Sequence, residues 1–276
     1  SYVFINSLST YNDLSSVLWS INPSENNKLE IDNLILGRTY QVIETNEFGI
    51  EITNSNSKYI VTYNPSINNV ADENTTYKFE IVNTLKLINV TVTKVWDDES
   101  NKHNIRPTEI TLQLYANGKP VDGKTITISA NNALNGDLSK WVYTFTDLRK
   151  TDDEGNEIVY TVAEVDNLEA NYTVTVGDTT NDGSTISQTI TNKENVGQIT
   201  VTKRVMNYGA DITSSANGTY YFVIKQGNDG YVSSDGSVKA YKDSTCIYSI
   251  QTGSYDQATY SKTISNLTYG KTYTII

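Results

Sequence analysis

A lysine, a glutamate and an asparagine stand where apolar residues belong. In Val90-Thr91-Val92-Thr93-Lys94-Val95-Trp96 the even positions read Val, Val, Lys and Trp. Side chains alternate faces along a strand, so the pattern predicts Lys94 pointing into a core beside Val92 and Trp96. Glu164 falls on the Ile158/Tyr160/Val162 face of its segment, and Asn192 on the Ile186/Ile190 face of its own. Buried polar groups cost about 1–3 kcal/mol each unless they satisfy one another. A lysine in low dielectric has a lowered pKa, which makes a neutral, nucleophilic amine accessible. A carboxyl in the same pocket is pushed up, so it can be protonated and polarise the asparagine carbonyl. Attack of the amine on that carbonyl would expel ammonia and leave an internal isopeptide crosslink, with the carboxyl shuttling protons. No cofactor is needed. The plainer alternative is a buried Lys–Glu ion pair with asparagine as a hydrogen-bond partner.

The elements that must position these groups occur more than once. Lys203 repeats the lysine pattern in Ile199-Thr200-Val201-Thr202-Lys203-Arg204-Val205. Asn83 shares a face with Tyr77, Phe79 and Ile81, and Glu44 closes Tyr40-Gln41-Val42-Ile43-Glu44. Lys94 and Lys203 are 109 residues apart, as are Asn83 and Asn192. That period is the size of a sandwich domain and well above solenoid repeat lengths. A second element repeats too: Ile31-Asp32-Asn33-Leu34, Phe145-Thr146-Asp147-Leu148 and Ile264-Ser265-Asn266-Leu267, each ahead of a Tyr-bearing strand.

The expected organisation is three tandem domains. Residues 1–86 form a copy lacking its first, lysine-bearing strand; 87–195 form a complete copy; 196–276 form a copy lacking its last strands. The chain thus reads as a segment of a longer polypeptide. The joints Thr84–Asn89 and Lys193–Gly197 are short and are neither Pro- nor Gly-rich, so the domains are expected end to end, as a rod.

Composition agrees with an all-β chain. It is rich in Thr, Asn, Val, Ile and Tyr, with 20 tyrosines, residues that favour strands and turns. A helix is expected only around Ser129–Leu138. The net charge of −11 argues against nucleic acid, whose phosphates need basic patches. No stretch is apolar for long enough to span a membrane. The single cysteine, Cys246, leaves no intrachain disulfide, and the single histidine, His103, leaves no histidine metal cluster or Ser-His-Asp triad. His103 reads as a loop residue. Asp152–Glu157 is acidic but lacks EF-hand spacing, so it reads as a solvated hairpin tip, as does Asp97-Asp98-Glu99. The Asn-X-Thr triplets at Asn74, Asn89, Asn171, Asn217 and Asn266 follow from composition.

Three motifs in order, Val90–Asp98, Tyr160-Thr161-Val162-Ala163-Glu164 and Thr189-Ile190-Thr191-Asn192, resemble the B-type repeat domain of collagen adhesin, found in surface proteins and pilins of Gram-positive bacteria. The resemblance implies tandem immunoglobulin-like Greek-key β-sandwiches. It implies a Lys94–Asn192 isopeptide bond between first and last strands, with Glu164 as the proton shuttle. Glu44 is the equivalent glutamate in the first copy, and Asn83 and Lys203 are bond partners left over in the incomplete copies. Such a bond would carry pulling force, and by the crosslink-entropy model would stabilise by about 4–5 kcal/mol. The function implied is a structural stalk or fibre shaft outside the cell and attached to its wall, not an enzyme, since the reaction turns over once. Its partners would be neighbouring repeats and other subunits of a fibre. The rival expectation is a module that binds a host glycan or matrix protein, with the Tyr220–Tyr248 stretch as its best candidate.

Overall fold

The computed structural model describes residues 2–7, 18–20, 39–64, 68–70, 79–253 and 260–276. Ile31–Leu34, Asn74 and Tyr77 lie outside the described residues. Strands and turns dominate, with short 3-10 turns at Ala130–Asn132 and Ser244–Cys246. The chain is all-β. It divides into two compact units, one of Ser1–Asn89, Phe145–Val159 and Gly183–Thr185, the other of Val90–Thr144, Tyr160–Asp182 and Ile186–Ile276.

In the first unit Tyr2–Ser7 lies between Leu18–Ser20 and Thr39–Thr45, and the latter also pairs with Asn68–Val70. A separate antiparallel pair joins Tyr59–Asn64 to Glu80–Leu85. The acidic stretch is a closed hairpin tip: Thr151 bridges Glu157, and Asp152 Oδ1 accepts the Glu154 and Asn156 amides. Gly155 must be glycine there. Its φ is +87°, and a Cβ would lie 2.9 Å from the Asn56 backbone, a position closed to other residues.

The second unit holds the lysine, glutamate and asparagine. The lysine strand, Leu87–Asp97, lies between Asp137–Arg149 and the asparagine strand Thr185–Glu194, which pairs on its other side with Tyr172–Val176. A second sheet places Glu109–Ala116 between Lys119–Ser129 and the glutamate strand Tyr160–Glu164. Val90, Val92, Lys94 and Trp96 are buried, while their odd-numbered neighbours are not. Ile186, Gln188, Ile190, Asn192 and Glu194 alternate in the same way. The two sheets touch through these faces: the Val162 amide on one donates to Gln188 Oε1 on the other, 2.6 Å away. The same unit carries a further core of Ile224, Val232, Tyr248, Ile264 and Leu267. Cys246 is buried beside it as a free thiol.

Two local expectations are corrected. Ser129–Leu138 is not a helix. Ser129 caps one 3-10 turn, and the chain then reverses at Asn135 (φ 52°) and Gly136 (φ 81°) between two paired strands. Asn-Gly at positive φ is a hairpin turn, and it ends any helix before a second turn can form. Asp98 is not at a solvated tip but is 2 % exposed.

The repeated Phe-Thr-Asp-Leu and Ile-Ser-Asn-Leu elements acquire a physical reason. Asp147 and Asn266 both sit at φ 58°, a left-handed conformation that Asp and Asn tolerate better than most residues. The flanking Phe145, Leu148, Ile264 and Leu267 are buried.

Candidate functional site

Lys94 Nζ is wholly buried and lies 3.0 Å from Glu164 Oε2, whose side chain is 2 % exposed. The other carboxylate oxygen, Oε1, accepts a hydrogen bond of 3.1 Å from Asn192 Nδ2. One carboxylate thus touches both the amine and the amide nitrogen. Period-two alternation delivers the three groups: each occupies an inward position of its strand, and the sheet packing brings the three strands together. The ion pair is close but off the hydrogen-bond direction, so Nζ, Oε2 and Asn192 Oδ1 are all buried without a well-aligned hydrogen-bond partner. Burial pushes the Lys94 amine down to about 8, against the opposing pull of Glu164 and Asp98. At neutral pH a usable fraction of it is therefore the neutral nucleophile.

Aromatic rings wall the amine. Nζ sits 4.5 Å from the Trp96 ring centroid. Trp96 meets Trp141 and Tyr172 edge to face at 5.2 and 5.3 Å, the favoured geometry for such pairs.

Behind Trp96 is a polar group that the sequence reading did not find. Arg106 donates to both oxygens of Asp98, through Nε at 2.8 Å and Nη2 at 2.5 Å. The Asn101 amide and the Tyr172 hydroxyl donate to the same carboxylate. Burial alone would raise the Asp98 carboxyl, but these donors together hold it below its ordinary value. The even-numbered parity of Trp96 continues to Asp98 and signals its burial, but not its partner, because the arginine lies across a loop. Gln188 was legible, since it shares the parity of Ile186, Ile190 and Asn192. Its side chain ties the asparagine strand to the glutamate strand.

The other candidates are arranged differently. In the first unit Asn83 Nδ2 donates to Glu44 Oε1 at 2.9 Å, the same amide-to-carboxylate contact as Asn192 to Glu164. Glu44 is buried, and its Oε2 has no hydrogen-bond partner. Asn83, however, lies on a strand with no buried residue. Glu44 and Asn83 line an open groove of about 310 Å³ with Asn46, Glu51, Lys58 and Asp153. The lysine there, Lys58, is paired with Asp153 at 2.7 Å. Lys203 is half-buried just past the end of Val196–Thr202, with Nζ 4.3 Å from the Tyr220 ring centroid.

Among the described residues no group of three His, Cys, Asp or Glu side chains is arranged to hold a metal ion. No helix among them is long and apolar enough to cross a membrane.

Residues 90–193 match the family model of the Cna protein B-type domain. The collagen adhesin of Staphylococcus aureus is 37% identical over 109 residues, a stretch that takes up 40% of this chain and 7% of that protein. Among solved structures, a single B repeat unit of the collagen-binding surface protein of Staphylococcus aureus aligns with 69% of this chain and 85% of its own, at 23% identity and a TM-score of 0.28. The open conformation of the pilus adhesin SpaC from Lactobacillus rhamnosus GG aligns with 99% of this chain and 30% of its own, at 12% identity and a TM-score of 0.34.

Proposed function

We propose that this chain, which carries a Cna protein B-type domain at residues 90–193, is a stalk or fibre-shaft segment of a bacterial surface adhesin or pilus, reinforced by a Lys94–Asn192 isopeptide bond. The observation that carries the reading is the position of Glu164, with one oxygen 3.0 Å from the amine and the other 3.1 Å from the amide nitrogen.

The step follows from that geometry. The neutral Nζ amine is the nucleophile, and Oε2 takes the one proton it sheds as the new bond forms. Nζ attacks Cγ of Asn192, and Oε1 passes a proton to Nδ2, which leaves as ammonia. One C–N bond forms, one breaks, and Glu164 ends in the state in which it began. The surrounding rings exclude water that would otherwise compete for Cγ.

The bond would tie the lysine strand to its neighbour, the asparagine strand, so that load on either passes through a covalent link. In this reading the chain comprises copies at 1–86, 87–195 and 196–276, with Glu44 as the equivalent glutamate of the first copy and Asn83 and Lys203 as possible bond partners in the incomplete copies. The location is extracellular and attached to the cell wall.

Intact mass tests it directly. The full chain is expected to weigh less than its sequence by one ammonia, and the Glu164→Ala variant to show no deficit. A full mass in the wild type would leave Lys94 and Glu164 as a buried ion pair and end the crosslinked-shaft reading.

A second reading, a ligand-binding module, has one observation in its favour. Tyr208, Tyr221, Tyr241 and Tyr269 are exposed, all within 196–276, and aromatic surface is what binding sites favour. Binding of the full chain to collagen or glycans, lost on replacing these tyrosines by alanine, would support it.

A further inference from the structure

His103, the chain's one histidine, is held between two hydrogen-bond acceptors. Its Nδ1 is 2.7 Å from Glu194 Oε1, with both side chains about 95 % buried or more. Its Nε2 is 3.3 Å from the carbonyl oxygen of Gly236. The carbonyl cannot donate, so Nε2 must carry a proton. The Nδ1–Glu194 contact needs a second proton, on the ring or on the carboxyl. If the pair holds only one, a lone pair faces an acceptor in a buried site.

Both sides of this contact are held stiffly. Glu194 ends the asparagine strand. His103 lies in a loop whose Glu99, Ser100, Asn101 and Asn104 all have positive φ, a costly conformation that persists only where neighbours enforce it. The enforcing contacts are the Asp98 carboxylate on the Asn101 amide and the Asn101 side chain on the Arg106 amide. Opposite, Ser233–Ser237 is a closed turn. The Gly236 amide donates to Ser233 O, and Asp235 accepts from Ser237 through both its amide and its hydroxyl. Gly236 has φ +87°, and a Cβ there would lie 2.3 Å from Asn266 O. The direction of its carbonyl is thereby fixed.

We propose that His103 and Glu194 form a proton-loaded clasp between the Lys94-bearing copy and the 233–237 turn of the following copy. It is closed while the pair holds two protons and weakened when it loses one. This goes beyond the isopeptide reading and does not depend on it.

The charged surroundings favour loading. Asp98 and Glu99 act on Glu194 from the loop. Lys102, paired with Glu99, and Arg106, paired with Asp98, offset them. From the turn Asp235 faces Lys102, and the phenols of Tyr172 and Tyr273 lie near Glu194. Burial pushes the Glu194 carboxyl up, against the pull of His103. A group that gains proton affinity on closing stabilises the closed state in acid and ceases to do so as pH rises through its closed-state titration. Glu194 is such a group.

Hydrogen exchange of the Ser233 and Gly236 amides in the full chain provides the test, with ring ¹⁵N shifts reporting the one imidazole. After correction for intrinsic exchange, protection should fall about tenfold between about pH 5.5 and 8. Glu194→Gln replaces the missing proton with an amide N–H donor to Nδ1, so its protection should stay high and flat. His103→Ala should be low and flat. Flat protection in the wild type, an Nε2 without its proton at pH 5.5, or a Glu194→Gln variant that falls like the wild type would each overturn the clasp.

Discussion

The Glu164 and Glu44 sites make the same contact, an asparagine amide donating to one oxygen of a buried glutamate. They differ in what meets the other oxygen. At Glu164 it is a fully buried lysine amine, on a strand adjacent to the asparagine strand. At Glu44 that oxygen has no hydrogen-bond partner, and the nearby Lys58 is committed to Asp153. The comparison separates two roles. A carboxylate–amide pair is a structural contact that any sandwich can hold. An amine in the same pocket, pushed down to about 8 by burial, would supply the nucleophile that the proposed crosslink requires.

The comparison can be broken most sharply by preventing the proposed bond. Glu164→Ala should abolish the ammonia deficit and lower unfolding stability by about 4–5 kcal/mol, the entropic value of a crosslink closing a loop of this length. Chemical denaturation beside intact mass reads both, and equal stability with and without the deficit would contradict it. Next, in an Asn192→Ala background that cannot react, Glu164→Gln strands the buried Lys94 charge and should cost about 3–5 kcal/mol. A loss below 1 kcal/mol would mean that Lys94 escapes to solvent.

Reactivity should track the amine. Below about pH 8 the neutral fraction rises tenfold per pH unit, about 1.4 kcal/mol in rate terms, and it flattens above that value. Mass followed over time after refolding at several pH values measures it, and a pH-independent rate would remove Lys94 as the titrating nucleophile. The smallest effect is expected at the unpaired site. Glu44→Gln keeps an acceptor for Asn83 and removes only an oxygen without a partner, so its stability should stay within about 1 kcal/mol of wild type. A loss as large as that of Glu164→Gln would show that a cation occupies the Glu44 site.

Much of the candidate site was legible because the pleat forces side chains to alternate. Lys94, Asn192 and Glu164 each share a parity with buried apolar residues, and all three side chains are buried. Asp98 was misjudged. It keeps the even-numbered inward parity of Trp96, but its acidic neighbours suggested a solvated tip, and its charge is matched by Arg106 and Tyr172 arriving from elsewhere. The expected helix at Ser129–Leu138 failed because an Asn-Gly reversal outweighs a few residues of weak helical pattern. The clasp at His103 was invisible, since its partners are 91 and 133 residues away.

By itself, then, the sequence determined the all-β class, the inward facing of the lysine, glutamate and asparagine, and their recurrence along the chain. These are properties of strand geometry, which acts locally with a period of two. Only the tertiary structure decided that one carboxylate bridges amine and amide, that Asp98 is buried with Arg106, and that His103 meets Glu194 and Gly236. Those outcomes depend on which strands and loops pack against each other and at what register, and no local pattern encodes a distance across a core.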